Sequence, residues 1–177
     1  DYTKSPGGHN FDANFRIKTS KNGMLKYYGY YNTNSLAFTV PSLDSLGYLD
    51  RFSLKNTNMY HNLSLKEQFK KKWRLNAGVS YSNNRDDLRF GMQDVNKKDV
   101  KLGNLAFAKN FDIQNRGNYI NAKLVIEKRF KGLNALRFGT EYNYSNDKIN
   151  FTLFNGLRFP AIVKENIYAL FAEQDVY

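Results

Sequence analysis

Trp73-Arg74-Leu75-Asn76-Ala77-Gly78-Val79-Ser80-Tyr81-Ser82 alternates apolar with polar or small side chains without a fault. A period of two places Trp73, Leu75, Ala77, Val79 and Tyr81 on one face of an extended strand, and Arg74, Asn76, Gly78, Ser80 and Ser82 on the other. Wound as a helix, the same residues would scatter around the axis. Upstream, across Lys70–Lys72, Met59, His61, Leu63 and Leu65 alternate with Asn58, Asn62, Ser64 and Lys66. Phe11–Lys18 alternates as cleanly and runs into Lys21-Asn22-Gly23, where Asn-Gly is a strong hairpin signal. The return strand sets Leu25, Tyr27, Gly29 and Tyr31 on one face. Downstream, Ile120, Ala122, Leu124 and Ile126 oppose Asn121, Lys123 and Glu127, and Leu136, Phe138, Thr140, Tyr142 and Tyr144 oppose Arg137, Gly139, Glu141 and Asn143. A seventh strand near Asn166–Tyr177 is apolar on both sides at first, which leaves its facing open. The chain is all-β.

The connections alternate between short and long. Lys21–Gly23, Lys70–Lys72 and Lys131–Asn134 are tight, whereas the intervening links are expected to be long loops near 32–55, 83–114 and 145–163. Every long loop then falls on one end of an antiparallel up-and-down sheet. That polarity matches a transmembrane β-barrel, which has short turns on the periplasmic side and long loops outside the cell. Strands of about ten residues suit a tilted bilayer crossing. Within the longest link, Asp87–Val95 and Asp99–Ala108 are candidates to extend the walls as strands. Leu75, Ala77, Val79, Leu124 and Ile126 are expected to face lipid. Phe69, Trp73 and Phe130, beside the short turns, are expected to form an interfacial aromatic girdle. The soluble alternative, a small-ligand barrel with its apolar face turned inward, shows the same alternation.

Composition narrows the chemistry. The 177 residues include no cysteine, which excludes disulfide scaffolds, Cys-based zinc sites and thiol nucleophiles. His9 and His61 are the only histidines and fit no metal spacing, so no metal and no cofactor is expected. His61 reads as a strand residue near an interface or a protein contact, and His9 as a loop residue. Pro6-Gly7-Gly8 lacks the Lys-Ser/Thr of a phosphate loop and reads as a turn. Asp86-Asp87 and Glu173/Asp175 pair carboxylates with no nucleophile or oxyanion donors around them, so an enzyme is not expected.

The net charge is +11. Lys and Arg are dispersed over strands, turns and loops with no motif to organise them, so nucleic acid is not an expected partner. At the turn ends the long basic side chains are placed to snorkel toward lipid phosphates.

The run from Met59 to Leu88, MYHNLSLKEQFKKKWRLNAGVSYSNNRDDL, resembles a barrel hairpin of TonB-dependent outer-membrane receptors, as does NIYALFAEQDVY at Asn166–Tyr177. That resemblance implies a 22-stranded barrel around a plug, of which residues 1–177 supply a fragment of about seven strands. The plug and its energy-coupling box have no match in this sequence. The resemblance also implies a location in the outer membrane of a Gram-negative bacterium and a role in ligand binding and energised nutrient uptake. The implied partners are outer-membrane lipids, the rest of the barrel and its plug, an energy-coupling inner-membrane protein and a surface lipoprotein. A barrel that anchors a surface assembly or secretion complex is the alternative. Contacts with ligand or partner are expected in 32–55 and 83–114, with Phe90, Phe107, Phe111 and Phe154 as candidate ligand-stacking residues, and Phe151 and Phe159 beside them.

Overall fold

The computed structural model describes the whole chain except residues 71, 102–106, 108, 131–133 and 177. Seven strands follow one another: β1 (Tyr2–Ser20), β2 (Gly23–Pro41), β3 (Tyr48–Phe69), β4 (Trp73–Asp94), β5 (Phe111–Arg129), β6 (Ala135–Leu153) and β7 (Arg158–Asp175). They form one sheet in sequence order, each antiparallel to the next, with β1 and β7 as its edges. The tight turns at the Gly23, Trp73 and Ala135 ends share one end of the sheet, as expected. Parts of two of them, at 71 and 131–133, lie outside the described residues.

The strands are nearly twice the expected length, 18 to 22 residues. The expected loop near 32–55 is strand except at 42–47, that near 83–114 is strand up to Asp94 and again from Phe111, and that near 145–163 is strand except at 154–157. Gly47 and Gly156, both at φ +83°, turn the shortened loops in a conformation other residues adopt only with strain. The cause of the difference is a polar belt. Asn32–Ser35, Asn56–Asn58, Asn83–Asp87, Gln114–Asn118 and Ser145–Lys148 are polar or lack large apolar groups on both faces, so alternation stops while pairing continues. The ladder runs through it in register, with Thr33, Thr57, Arg85, Arg116 and Lys148 opposite one another in turn. Asp87–Asp94 extends β4 as anticipated. Beyond it, Asp99 makes an isolated bridge to Gln93 and the Val100 N–H bonds the Met92 carbonyl, and most of 102–108 lies outside the described residues.

The register assigns the faces. Leu75 lies opposite Ile126, Ala77 opposite Leu124 and Val79 opposite Leu63, so the five residues expected to share an apolar face do share one, here called the belt face. Tyr168, Leu170 and Ala172 of β7 join it, while Ile167 and Phe171 take the reverse face. Phe171 fits there because Gly139 has no side chain. A Cβ at Gly139 would lie 2.1 Å from the Phe171 ring, and the Lys123 ammonium caps that ring at 5.4 Å. At the short-turn end Phe69 stacks on Trp73 at 6.3 Å, and the Lys128 ammonium lies over Trp73 at 5.2 Å and Phe130 at 5.4 Å. The three expected girdle residues thus form one cluster with a cation lying over two of them. His61 is strand, and its Nδ1 lies 2.6 Å from the Tyr27 hydroxyl. His9 and Pro6-Gly7-Gly8, expected as loop and turn, belong to β1, where the pairing slips register between Lys4 and Gly7. An edge strand tolerates a proline that cannot donate to the ladder.

Among the described residues no second layer covers the sheet. Among the described residues the buried apolar side chains are Ala37, Met92 and Ala135. A soluble chain of this length would bury well over half the surface its unfolded chain exposes, around a core. Instead Val79 is 46%, Leu124 39% and Leu170 85% exposed. Covering such side chains is worth roughly 1.5–3 kcal/mol each, so a bare belt of them marks a surface that meets something apolar.

Candidate functional site

Past the polar belt, the apolar residues change faces. On β4 they occupy odd positions from Trp73 to Tyr81 and even positions at Leu88, Phe90 and Met92. Strands β2, β3, β5 and β6 switch in the same way, at Leu36 and Phe38, Leu54 and Phe52, Ile113 and Phe111, and Ile149 and Phe151. The reverse face therefore carries an aromatic wall away from the short turns. Its rings follow one another across the sheet: Phe38 to Phe52 at 5.3 Å, Phe52 to Phe90 at 5.1 Å, Phe90 stacked on Phe111 at 4.5 Å, Phe111 to Phe151 at 5.3 Å and Phe151 to Phe159 at 6.3 Å. Cross-strand aromatic pairs of this kind, in register or, for Phe111 and Phe151, diagonal, add to sheet stability and also present π faces to a ligand.

Phe90, Phe111 and Phe154 line one hollow of about 300 Å³, together with Arg51, Arg89 and Asp99. Phe107 packs edge-on against Phe154 at 5.4 Å. The four phenylalanines singled out from sequence are thus brought together, two on strands and two on the loops above them. Phe38 and Phe52 are members of the wall that sequence reasoning passed over. Their signal was the parity switch, concealed by reading 32–55 as loop.

Two loops are tied over this region. The Lys109 ammonium donates to Ser42 Oγ at 2.7 Å and to the Asp50 carboxylate at 2.8 and 3.0 Å, and it also bonds Asp44. Asn110 accepts from the Met92 N–H and donates to the Val100 carbonyl, both at 2.7 Å. Hydrogen bonds from Lys109 and Ser42 hold the Asp44 carboxyl below its ordinary pKa. Desolvation pulls the Lys109 ammonium down, but its bonds to Asp44 and Asp50 outweigh this and its pKa is raised. The clamp is therefore intact above the ordinary Asp value, near 4, and below the ordinary Lys value, near 10.4. It loosens as pH falls through the depressed Asp44 pKa. Amide exchange at 95–100, corrected for intrinsic rates, is expected to stay flat from about pH 5 to 9 and to rise only once the pH has fallen below the ordinary Asp value. Lys109→Met should remove that plateau; a loop equally protected in the variant would show that the clamp holds nothing.

Toward the short turns the reverse face is polar. Tyr60, Asn62, Ser64, Asn76, Ser80 and Asn121 line a groove of about 480 Å³. Beyond it Glu127 accepts from Arg129 at 2.7 Å and Arg137 at 3.1 Å, with Arg74 at 3.8 Å. The sequence showed Glu127 only as one polar position of an alternating strand. Among the described residues no group of three or more His, Cys, Asp or Glu is placed to hold a metal ion.

No protein-family model matches this sequence, and no curated protein matches it. Among solved structures, the chain is similar to the ferric yersiniabactin uptake receptor FyuA from Yersinia pestis, with a TM-score of 0.58 and 9% identity over 96% of this chain. It spans about a quarter of that receptor chain, 25% of its length. At that identity the likeness establishes the fold: antiparallel up-and-down strands, matching a sector of a receptor β-barrel.

Proposed function

We propose that this chain is a sector of a TonB-dependent receptor barrel in the outer membrane of a Gram-negative bacterium, taking part in ligand binding and energised nutrient uptake. The observation that carries the proposal is the uncovered apolar belt. Leu75, Ala77, Val79, Leu124 and Ile126 lie on one face with no layer of the described residues over them, while the reverse face at the same height is polar. Lipid outside and water inside account for both faces. Further strands pair with the edges of β1 and β7, because open edges do not persist in a bilayer. A plug outside these residues fills the wet side, and the energy-coupling inner-membrane protein and a surface lipoprotein act on the completed receptor.

Past the membrane the outside is water, so the wall turns its polar residues outward and its aromatic ones inward. The change of face is the feature that a soluble barrel would not need. Phe38, Phe52, Phe90 and Phe111 then line a vestibule open to the cell exterior, where a scarce ligand stacks on them beneath the loops.

Fractionation of cells carrying the intact protein tests the location. It should sediment with outer membranes, require detergent for extraction and migrate as a heat-modifiable barrel. A monodisperse, detergent-free protein with a β spectrum would falsify the membrane assignment. The vestibule has its own test. Phe90→Ala combined with Phe111→Ala should leave the inserted fraction unchanged and lower uptake of the nutrient that the intact protein supports by about tenfold or more. Unchanged uptake would make the wall a packing device.

A further inference from the structure

Arg85, Arg116 and Lys148 stand directly opposite one another on β4, β5 and β6, on the belt face. Like charges in direct cross-strand register are destabilising, yet three occur in succession. Asp87 ion-pairs with Arg116, and Arg116 also donates to the Asp86 and Asn115 carbonyls. Arg85 donates to Asn83 Oδ1 at 3.1 Å, and among the described residues neither Arg85 nor Lys148 forms an ion pair. Both are exposed. The row therefore carries excess positive charge spread over two strand spacings, about 10 Å.

Its height is as informative as its charge. Arg85 lies four residues beyond Tyr81, where the apolar belt of β4 ends, and Lys148 lies four beyond Tyr144. Four residues advance about 13 Å along a strand, or about 9 Å along the membrane normal at a tilt near 45°. Between them runs a row of Asn83, Asn118 and Asn146, in which Asn83 donates to Asn118 at 2.9 Å. The sequence of surfaces from Tyr81 outward is thus aromatic, amide, cation. That order matches a bilayer edge read outward from hydrocarbon through carbonyl and sugar to phosphate.

We propose that Arg85, Arg116 and Lys148 form a binding site for the phosphate groups of an outer-leaflet glycolipid headgroup, which relieves the repulsion within the row. The proposal rests on the membrane assignment above. Arg85 and Lys148 flank Arg116 from the two neighbouring strands and donate to phosphate oxygens on either side of it, the planar guanidinium of Arg85 offering a bidentate fork. The neighbouring asparagine row supplies amide groups at the depth of the headgroup sugars.

The test uses the intact protein in detergent, incubated with bisphosphorylated lipid A, with the same lipid after enzymatic dephosphorylation, or with inorganic phosphate, and read by native mass spectrometry. The wild type should retain lipid A, retain the dephosphorylated lipid about tenfold less, and resist competition by millimolar inorganic phosphate. The triple variant Arg85→Gln, Arg116→Gln, Lys148→Gln should lose that selectivity, whereas Lys97→Gln with Lys98→Gln should keep it. Lys148→Gln alone serves should the triple variant fold poorly, with heat-modifiable migration as the check on folding. A well-folded, membrane-extracted protein that retains both lipids equally, or in which the row's removal changes nothing, overturns this site and leaves the membrane assignment standing. Displacement by inorganic phosphate at equal affinity overturns the lipid as the ligand. A protein that never enters the membrane overturns both.

Discussion

Arginine at Ala77 is expected to cost the folded protein about 2–4 kcal/mol, the penalty for a cation held at the midplane of a barrel's lipid face. Ala77 lies in the middle of the belt, opposite Leu65 on β3 and Leu124 on β5, with Leu75 and Val79 two residues away on its own strand. On the proposed membrane assignment a side chain there would have no water within easy reach and would have to snorkel past those neighbours. One residue on, Gly78 lines the polar groove of the reverse face. A Cβ at Gly78 meets the Leu63 carbonyl at 3.7 Å, an ordinary contact, so Gly78→Arg has room and should cost less than about 1 kcal/mol. The measurement is urea unfolding of the intact protein in lipid vesicles, with equal protein-to-lipid ratios for each variant. Adjacent positions with opposite tolerance establish which face meets lipid. Equal tolerance at Ala77 and Gly78 would place water or protein, not hydrocarbon, over the belt.

That contrast could be drawn up from sequence, because period-two alternation between Trp73 and Ser82 already separates Ala77 from Gly78. The faces, the short turns and the order of the strands were legible for the same reason: a half-buried strand prints its environment on alternate residues. Strand length was not legible. Where the wall passes from one environment to the next, both faces become polar. Thr57, Arg85 and Arg116 then look like loop residues although each is paired on both sides. Hydropathy distinguishes buried from wet, and does not distinguish a wet strand from a wet loop.

The facing of β7 was hidden for a different reason. Phe171 sits on the reverse face in a space left by Gly139 on the neighbouring strand. That accommodation is a property of the pair and leaves no trace in the local pattern of β7. The four candidate phenylalanines were found for their chemistry, and their convergence depended on longer strands than the sequence suggested. Phe90 and Phe111 meet because both belong to strands. Two loop residues would have had no such register to bring them together.

Glu127 offers the second large effect, and it arises from a cluster no local pattern announces. Its residue is 7% exposed, and three guanidiniums surround it, with Arg137 continuing to Asp175 at 2.7 Å and Glu173 at 3.6 Å. Removing one partner of a well-buried ion pair costs roughly 3–5 kcal/mol, because the remaining charge is left uncompensated. Here the arginines keep 31–52% of their side-chain surface exposed, so water recovers part of that loss. Glu127→Ala is therefore expected to cost about 2 kcal/mol of unfolding free energy. Glu141, on the same face one strand over, pairs with Lys123 at 3.3 Å where the lysine side chain is half exposed. Glu141→Ala should shift the urea midpoint far less. Pairing Glu127→Ala with Arg129→Gln should recover part of the loss, since among the described residues Arg129 ion-pairs with Glu127 alone and is left unmatched without it. If Glu127→Ala and Glu141→Ala move the midpoint equally, the guanidiniums at this end of the wall are solvated well enough to need no carboxylate among them. The cluster would then be a wet rim at the mouth of the barrel, and the reverse face would be open to water along its whole length from the short turns to the groove.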